Sequence, residues 1–134
     1  MPTGPVPDRY RDLLEGTTLG HLATVDPGGR PQVNPVWFLW DAEGGNILLS
    51  IKAETRKLRN VRGNPAVAMS FSDPTRADRY VELRGTVVEM ESFDTLAWVN
   101  VLARKYTGAD FAHGADGELR YKVTVRVDAW TGQG

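Results

Sequence analysis

The chain has 134 residues, 41% hydrophobic and 25% charged, with a formal net charge of −1 and no cysteine. That length suits one domain, residues 1–134, able to bury about two-thirds of its unfolded surface, and the near-neutral balance argues against general nucleic-acid affinity. Disulfides, thiolate chemistry and Cys-based metal sites are excluded, and His21 and His113 match no metal motif, so no metal is expected.

No apolar run reaches transmembrane length and MPTGPVPDRYRD lacks the apolar core of a signal peptide, so a cytoplasmic location without membrane contact is expected. Residues 1–6 read as a loose tail. PDRYRDLLEG predicts a short helix with Pro7 at its start, Gly16 at its end, and Tyr10, Leu13 and Leu14 as its apolar stripe. Thr17 to Val25 predicts a strand, DPGG at 26–29 a turn, and Arg30 to Trp40 a returning strand. A second turn, Asp41 to Asn46, leads to a strand at Ile47 to Ile51. A basic helix follows over Glu54 to Val61, stopped by Gly63 and Asn64-Pro65. Ala66 to Ser72 is the next strand and 72–78 a loop. Tyr80 to Met90 is a long strand in which Gly85 marks a bulge or a close backbone approach. Ser92 is placed at the start of a helix that runs to Tyr106 and buries Phe93, Leu96, Ala97, Val101 and Leu102. A loop over Thr107 to Gly117 precedes the last strand, Leu119 to Val127. There Leu119, Tyr121, Val123, Val125 and Val127 point inward, and Arg120, Lys122, Thr124 and Arg126 outward. About six strands without a βαβ rhythm favour a small antiparallel barrel, which removes exposed edges, over a doubly wound sheet.

Ser50 to Pro65, SIKAETRKLRNVRGNP, concentrates the charge. Lys52, Arg56, Lys57, Arg59 and Arg62 fall within eleven residues, opposed only by Glu54. A strand runs directly into a short basic helix whose free N–H groups and positive dipole end point back toward Ser50 and Lys52. Hydroxyl, guanidinium fork and ammonium, added to a helix N-terminus, can hold a phosphate without a glycine-rich loop. The plain alternative is a solvated helix face. Against it, Leu58 and Val61 are the only large apolar residues between Thr55 and Val61, while Arg56, Lys57 and Asn60 crowd one end. A polyanion is the simplest reason to gather like charges there.

The order strand, basic helix, Asn-Pro, strand resembles the split β-barrel flavin-binding superfamily of pyridoxamine 5′-phosphate oxidase. Within it, the chain is similar to the branch that depends on coenzyme F420, a deazaflavin. The matching segments run nearly end to end: LGHLATVDPGGRPQVNPVWF (19–38), LLSIKAETRKLRNVRGNPAVAMSF (48–71), VELRGTVVEM (81–90) and RKYTG (104–108). The resemblance implies a mainly β fold, a six-stranded antiparallel split β-barrel with a few flanking helices. It implies that Ser50, Ile51, Lys52, Arg56, Lys57 and Asn60 hold the cofactor's phosphate and adjoining tail. Gln32, Asn34, Pro35, Val36 and Trp37 would lie on the strand beside its tricyclic ring. It further implies a homodimer with each cofactor in a groove between subunits, walled by the partner subunit's helix and loop around Trp98, Lys105 and Tyr106.

The implied chemistry is hydride transfer from reduced F420 to a small unsaturated organic acceptor such as an enone or quinone. The protein then supplies anchoring, ring orientation and a dry pocket, which suits a chain with no obvious nucleophile, metal set or paired carboxylates. No catalytic residue is singled out, and the proton source stays open among Tyr80, His21 and water. Trp37 and Phe38 point to opposite faces, so at most one meets the ring. One rival is an FMN-dependent oxidase or reductase of the same fold; another is a non-catalytic F420- or flavin-binding protein. FMN ends in one phosphate, whereas F420 continues past its phosphodiester into lactate and polyglutamate, and Arg59 and Arg62 give a reason to prefer the longer anion. A nucleic-acid-binding barrel would interleave cations with exposed aromatics over several strands, whereas here the cations concentrate in one helix.

Overall fold

The computed structural model describes residues 1–112 and 118–134. Seven antiparallel strands form one sheet: β1 (Gly20–Val25), β2 (Pro31–Val36), β3 (Leu39–Asp41), β4 (Asn46–Lys52), β5 (Ala66–Asp73), β6 (Arg76–Phe93) and β7 (Arg120–Gln133). Their spatial order is β2-β1-β5-β6-β7-β4-β3. Three helices flank them, α1 (Arg11–Glu15), α2 (Arg56–Gly63) and α3 (Ala97–Thr107), with a 3-10 turn at Asp8–Tyr10 leading into α1.

Alternation makes the core. On β4, Ile47, Leu49 and Ile51 are buried while Leu48 and Ser50 on the other face are only half-buried. The inward face meets Leu22, Met69, Phe71, Val81 and Val123 from the other strands, with Tyr10, Leu14 of α1, and Leu58 and Val61 of α2 packed on the same cluster. Phe38 and Phe71, both 0% exposed, meet edge to face at 4.6 Å between centroids. Residues 1–6, expected as a tail, make two contacts: Trp130 N donates to Pro2 O at 3.0 Å, and Val6 packs against the core.

This is the expected split barrel, with seven strands in place of six. The extra strand comes from a break inside Arg30 to Trp40. β2 stays with β1 as far as the Val36–Gly20 pair, and Leu39 then joins Leu48 on the opposite edge of the sheet. Between them the backbone of Phe38 is satisfied by side chains of α3: Phe38 N donates to Tyr106 Oη at 3.3 Å, and Phe38 O accepts from Lys105 Nζ at 2.8 Å. Nothing in the strand's own sequence announces that rescue.

Other expectations also shift. The segment 72–78 is a tight hairpin rather than a loop, since Asp73 pairs with Arg76 and Asp73 Oδ1 accepts from Thr75 N at 2.8 Å. Ser92 does not cap a helix; it pairs with Tyr121, and Phe93 with Arg120, inside β6. The helix begins five residues later, where Thr95 Oγ1 accepts from Ala97 N at 3.3 Å. Its buried face is Trp98, Val99, Leu102 and Ala103, so Ala97 and Val101 turn outward. β7 continues to Gln133, and its alternation fails at Leu119, which is exposed, and at Thr124, which is buried beside a register shift between Val87 and Glu89. The bulge expected at Gly85 is present: the register shifts there, and a Cβ would run into the carbonyl oxygen of Arg126. The last part of the expected loop, 113–117, lies outside the described residues.

Candidate cofactor site

α2 begins where β4 ends. Thr55 caps it, with Oγ1 accepting from Leu58 N at 3.4 Å and donating to Lys52 O at 2.9 Å. Glu54 in the turn has φ 68°, a left-handed conformation uncommon for a residue with a Cβ. Its carbonyl oxygen accepts from Arg59 Nη1 at 2.7 Å. Arg62 lies over the Tyr121 ring at 4.9 Å. Both arginines offered for a long anionic tail therefore already have partners within the chain.

Polar groups gather on two sides of α2. On the β1–β2 side, Asn60 is 3% exposed and its Nδ2 donates to Thr24 Oγ1 at 3.0 Å and Gln32 Oε1 at 3.2 Å. Gln32 Nε2 in turn donates to Asn34 Oδ1 at 2.9 Å. Gln32, Asn34 and Val36 stand across from Thr24, Leu22 and Gly20 on the inward face of the sheet. Pro35 alternates to the other face and is exposed, apart from the network.

On the β4–β7 side, Ser50 and Lys52 lie directly across from Lys122 and Arg120. Ser50 Oγ is buried without a hydrogen-bond partner among the described residues. Glu118 joins two cations, Lys52 Nζ to Oε1 at 2.8 Å and Arg120 Nη2 to Oε2 at 3.2 Å. Arg120 Nε is buried and unpaired among the described residues, and its guanidinium lies 4.8 Å from the Phe111 ring centroid. Lys57 is half-buried; burial first, and the charge of Arg120 second, push its ammonium below the usual lysine range. Arg56 is exposed, and neither it nor Lys57 has an ion pair or hydrogen bond among the described residues. Ile51 buries its side chain in the core at 1% exposure, so only its backbone is available to a ligand.

A family profile described as pyridoxamine 5′-phosphate oxidase matches residues 6–132. The chain belongs to the pyridoxamine 5′-phosphate oxidase family. Among solved structures, an F420 reductase is 41% identical, covering 94% of this chain and 98% of that one, with a TM-score of 0.86. The conserved hypothetical protein Rv2991 of Mycobacterium tuberculosis shares the fold at 21% identity and TM-score 0.71, over 97% of this chain and 85% of that one. Heme oxygenase HutZ of Vibrio cholerae serotype O1 (strain ATCC 39315 / El Tor Inaba N16961) is 37% identical over 101 residues, 72% of this chain and 55% of HutZ. The chain thus spans about 55% of the length of that curated relative. No helix among the described residues is long and apolar enough to cross a membrane.

As a member of the pyridoxamine 5′-phosphate oxidase family, the chain brings most of its sequence-predicted site together through α2, with Asn60 joined to β2 and Lys57 near β7. Trp37, half-buried, stacks on Tyr106 at 5.4 Å and 7° between planes. Tyr106 Oη donates to Thr18 O at 3.0 Å, and burial pushes its phenol up to about 12 against the opposing hydrogen bond from Phe38. Trp98 Nε1 donates to Leu49 O at 2.9 Å. The three residues expected to wall a partner's cofactor therefore make these contacts within their own chain. Of the proton-donor candidates, His21 is exposed on the outward face of β1, and Tyr80 is half-buried at a strand position between Ser72 and Gln133. A cavity of about 370 Å³ lined by Val6, Trp40, Arg11 and Arg126 contains none of the predicted residues, and its arginines pair with Glu15 and Asp128.

Thr24, Glu118 and Arg120 were not among the expected site residues, yet they contact them or each other here. Arg120 carried a usable signal, an outward cation on the last strand; what the sequence lacked was its register against Lys52.

Proposed function

We propose that the protein is a coenzyme F420-dependent reductase that passes a hydride from the reduced cofactor to a small unsaturated organic acceptor, such as an enone or quinone. The observation carrying this reading is the surplus of donors around α2. Lys57 and Arg56 lack a carboxylate partner, and Ser50 Oγ lacks any acceptor among the described residues. A buried polar group is ordinarily satisfied, and leaving one such as Ser50 Oγ bare costs about 1–3 kcal/mol; a phosphate oxygen would satisfy it and pair with the two cations. The donor set therefore fits an anionic cofactor tail.

In this reading Ser50, Lys52, Arg56 and Lys57 hold the phosphate, with the Ile51 backbone between them. Gln32, Asn34 and Val36 offer hydrogen bonds and apolar surface along the ring side, and Trp37, held flat by Tyr106, closes it. Bound and reduced, F420 supplies the hydride; the chain orients the ring and excludes water. Membership of the oxidase family supports a flavin-type cofactor, and the near-full-length similarity to an F420 reductase favours the deazaflavin over FMN. A homodimer belongs to the same proposal. Val33, 61% exposed, stands in register with Ala23 and, beyond it, Ala68, a row of small apolar side chains suited to a second copy.

Parallel titrations with F420 and FMN, followed by ligand fluorescence, test the reading. Micromolar or tighter binding of F420 with FMN much weaker is expected, then oxidation of reduced F420 when an enone or quinone is added. Preference for FMN would keep the phosphate site and move the chemistry to a flavin. Binding without turnover across acceptors would leave a cofactor-binding protein.

A further inference from the structure

We propose that Arg120 is part of the anion site and that Glu118 occupies that site in the ligand-free protein, as an internal counter-anion that an incoming phosphate must displace. This rests on the reading of the α2 region as a phosphate site.

The geometry is that of a stand-in. Lys52 and Arg120 face each other across the β4–β7 ladder, and Glu118 gives one carboxylate oxygen to each, at 2.8 and 3.2 Å. Two oxygens of one phosphate could bridge the same pair. The carboxylate does not use up the donors: Arg120 Nε stays buried and unpaired among the described residues, as does Ser50 Oγ on the same face as Lys52. Arginine offers five N–H donors in a fixed fork, and a phosphate has more oxygens than a carboxylate with which to meet them. Arg120 is also placed to act strongly, its side chain only 14% exposed against 52% for Lys52. Lys57, within electrostatic reach of Arg120, adds a third cation. One carboxylate is thus set against three cations and leaves donors unused. The hydrogen bond from Lys52 holds the Glu118 carboxyl below its usual range, so Glu118 remains charged and competitive at neutral pH.

The consequence is selectivity. An anion must beat a carboxylate already in position, which a phosphate can do through the unused donors and a simple carboxylic acid cannot.

Glu118→Gln keeps the shape and removes the charge; Glu118→Ala removes both and guards against a misplaced amide. At fixed ionic strength, inorganic phosphate should raise Tm more in both variants than in wild type, with an apparent affinity about three- to thirtyfold higher. Arg120→Met should lose most of the response in either background. F420 titrations of the same proteins should move in parallel. Phosphate affinity equal to or below wild type in both Glu118 variants would overturn the proposal, because Glu118 would then be a bystander or would position the cations productively. An unchanged response in Arg120→Met would overturn the role given to Arg120. If F420 fails to bind wild type while phosphate binding still sharpens on loss of Glu118, the cofactor assignment falls and this inference stands.

Discussion

Two charged clusters in this molecule are treated in opposite ways. Around Arg79 the chain supplies partners for both terminal nitrogens: Nη1 reaches Asp12 at 2.8 Å and Asp73 at 2.9 Å, and Nη2 reaches Asp12 at 2.7 Å and the Arg9 carbonyl. Asp73 also accepts from the backbone and hydroxyl of Thr75. Asp12 first and Asp73 second hold the guanidinium more basic than usual. This cluster ties the opening helical segment to the β5–β6 hairpin, and both terminal nitrogens of the guanidinium are engaged within the chain. Around α2, by contrast, one carboxylate serves Lys52 and Arg120, Lys57 is unpaired, and Ser50 Oγ is bare among the described residues. The first cluster is completed by the fold; in the proposed reading, a bound anion completes the second. Mutations in the first should therefore cost stability, and mutations in the second should cost binding.

The largest effect is expected on the structural side. A Cβ at Gly132 would lie 2.5 Å from Cζ of Tyr10, a ring that is 1% exposed and sits two residues before Asp12. Gly132→Ala should therefore displace the opening segment and destabilise by about 1–3 kcal/mol, read as a lower urea midpoint. Phosphate and F420 affinity should not change. A parallel loss of binding would show that the clusters are coupled and would break the comparison.

At the other cluster, Lys57→Met should weaken F420 binding about ten- to hundredfold, the loss of a charge-assisted contact. Its stability should equal or exceed that of wild type, because a half-buried unpaired cation has been removed. Exposed Arg56→Ala should move affinity in the same direction by less. Titration and thermal melts on the same samples check both readouts; wild-type affinity in Lys57→Met would mean that α2 is merely a solvated helix.

Acid should separate the clusters next. The backbone hydrogen bond from Thr75, followed by Arg79, lowers the Asp73 carboxyl to about 2, against about 4 in an unfolded chain. With the folded value depressed, this stabilisation is present above about pH 4 and is lost as pH falls toward about 2. Asp73→Asn should flatten that part of the Tm-versus-pH curve relative to wild type. An unchanged acid slope would mean that the network around Arg79 is not formed in solution.

How much could be read beforehand divides along similar lines. Alternation in the middle of β7 placed Val123 and Val125 inward, the apolar run at Ile47 to Ile51 predicted a strand without saying which face is buried, and DPGG, Gly85 and Asn64-Pro65 marked turns and a bulge by backbone chemistry that acts locally. The misses needed partners distant in sequence. The break at Trp37–Phe38 depends on Lys105 and Tyr106, more than sixty residues on. Ser92 and Phe93 read as helix because their pairing with β7 is invisible until β7 is placed. At the candidate site, the basic run marked the helix that forms as α2, since like charges at helical spacing are a local signal, and Lys57 of the proposed site comes from it. Arg120 and Glu118 meet Lys52 through strand register and the ion pairs it allows, which no local pattern records.

Lys105 gives the smallest and sharpest test, because it is a cation outside both clusters and has no carboxylate partner among the described residues. It donates to the Phe38 carbonyl at 2.8 Å and sits 4.0 Å from the Phe38 ring centroid. Burial pushes its ammonium down to about 8, against about 10.4 in an unfolded chain. Between those values the unfolded chain binds more protons, so stability should rise as pH climbs from about 8 to about 10.4, and below about 8 the full penalty of the half-buried charge is present. Since the group is about half exposed, solvent screening limits the swing to about 1 kcal/mol. Lys105→Met should abolish this component of the slope in urea midpoints taken across that range, whereas Lys57→Met should leave it in place. Superimposable slopes for wild type and Lys105→Met would mean that the ammonium is solvated, and that the backbone at the strand break is held by Tyr106 alone.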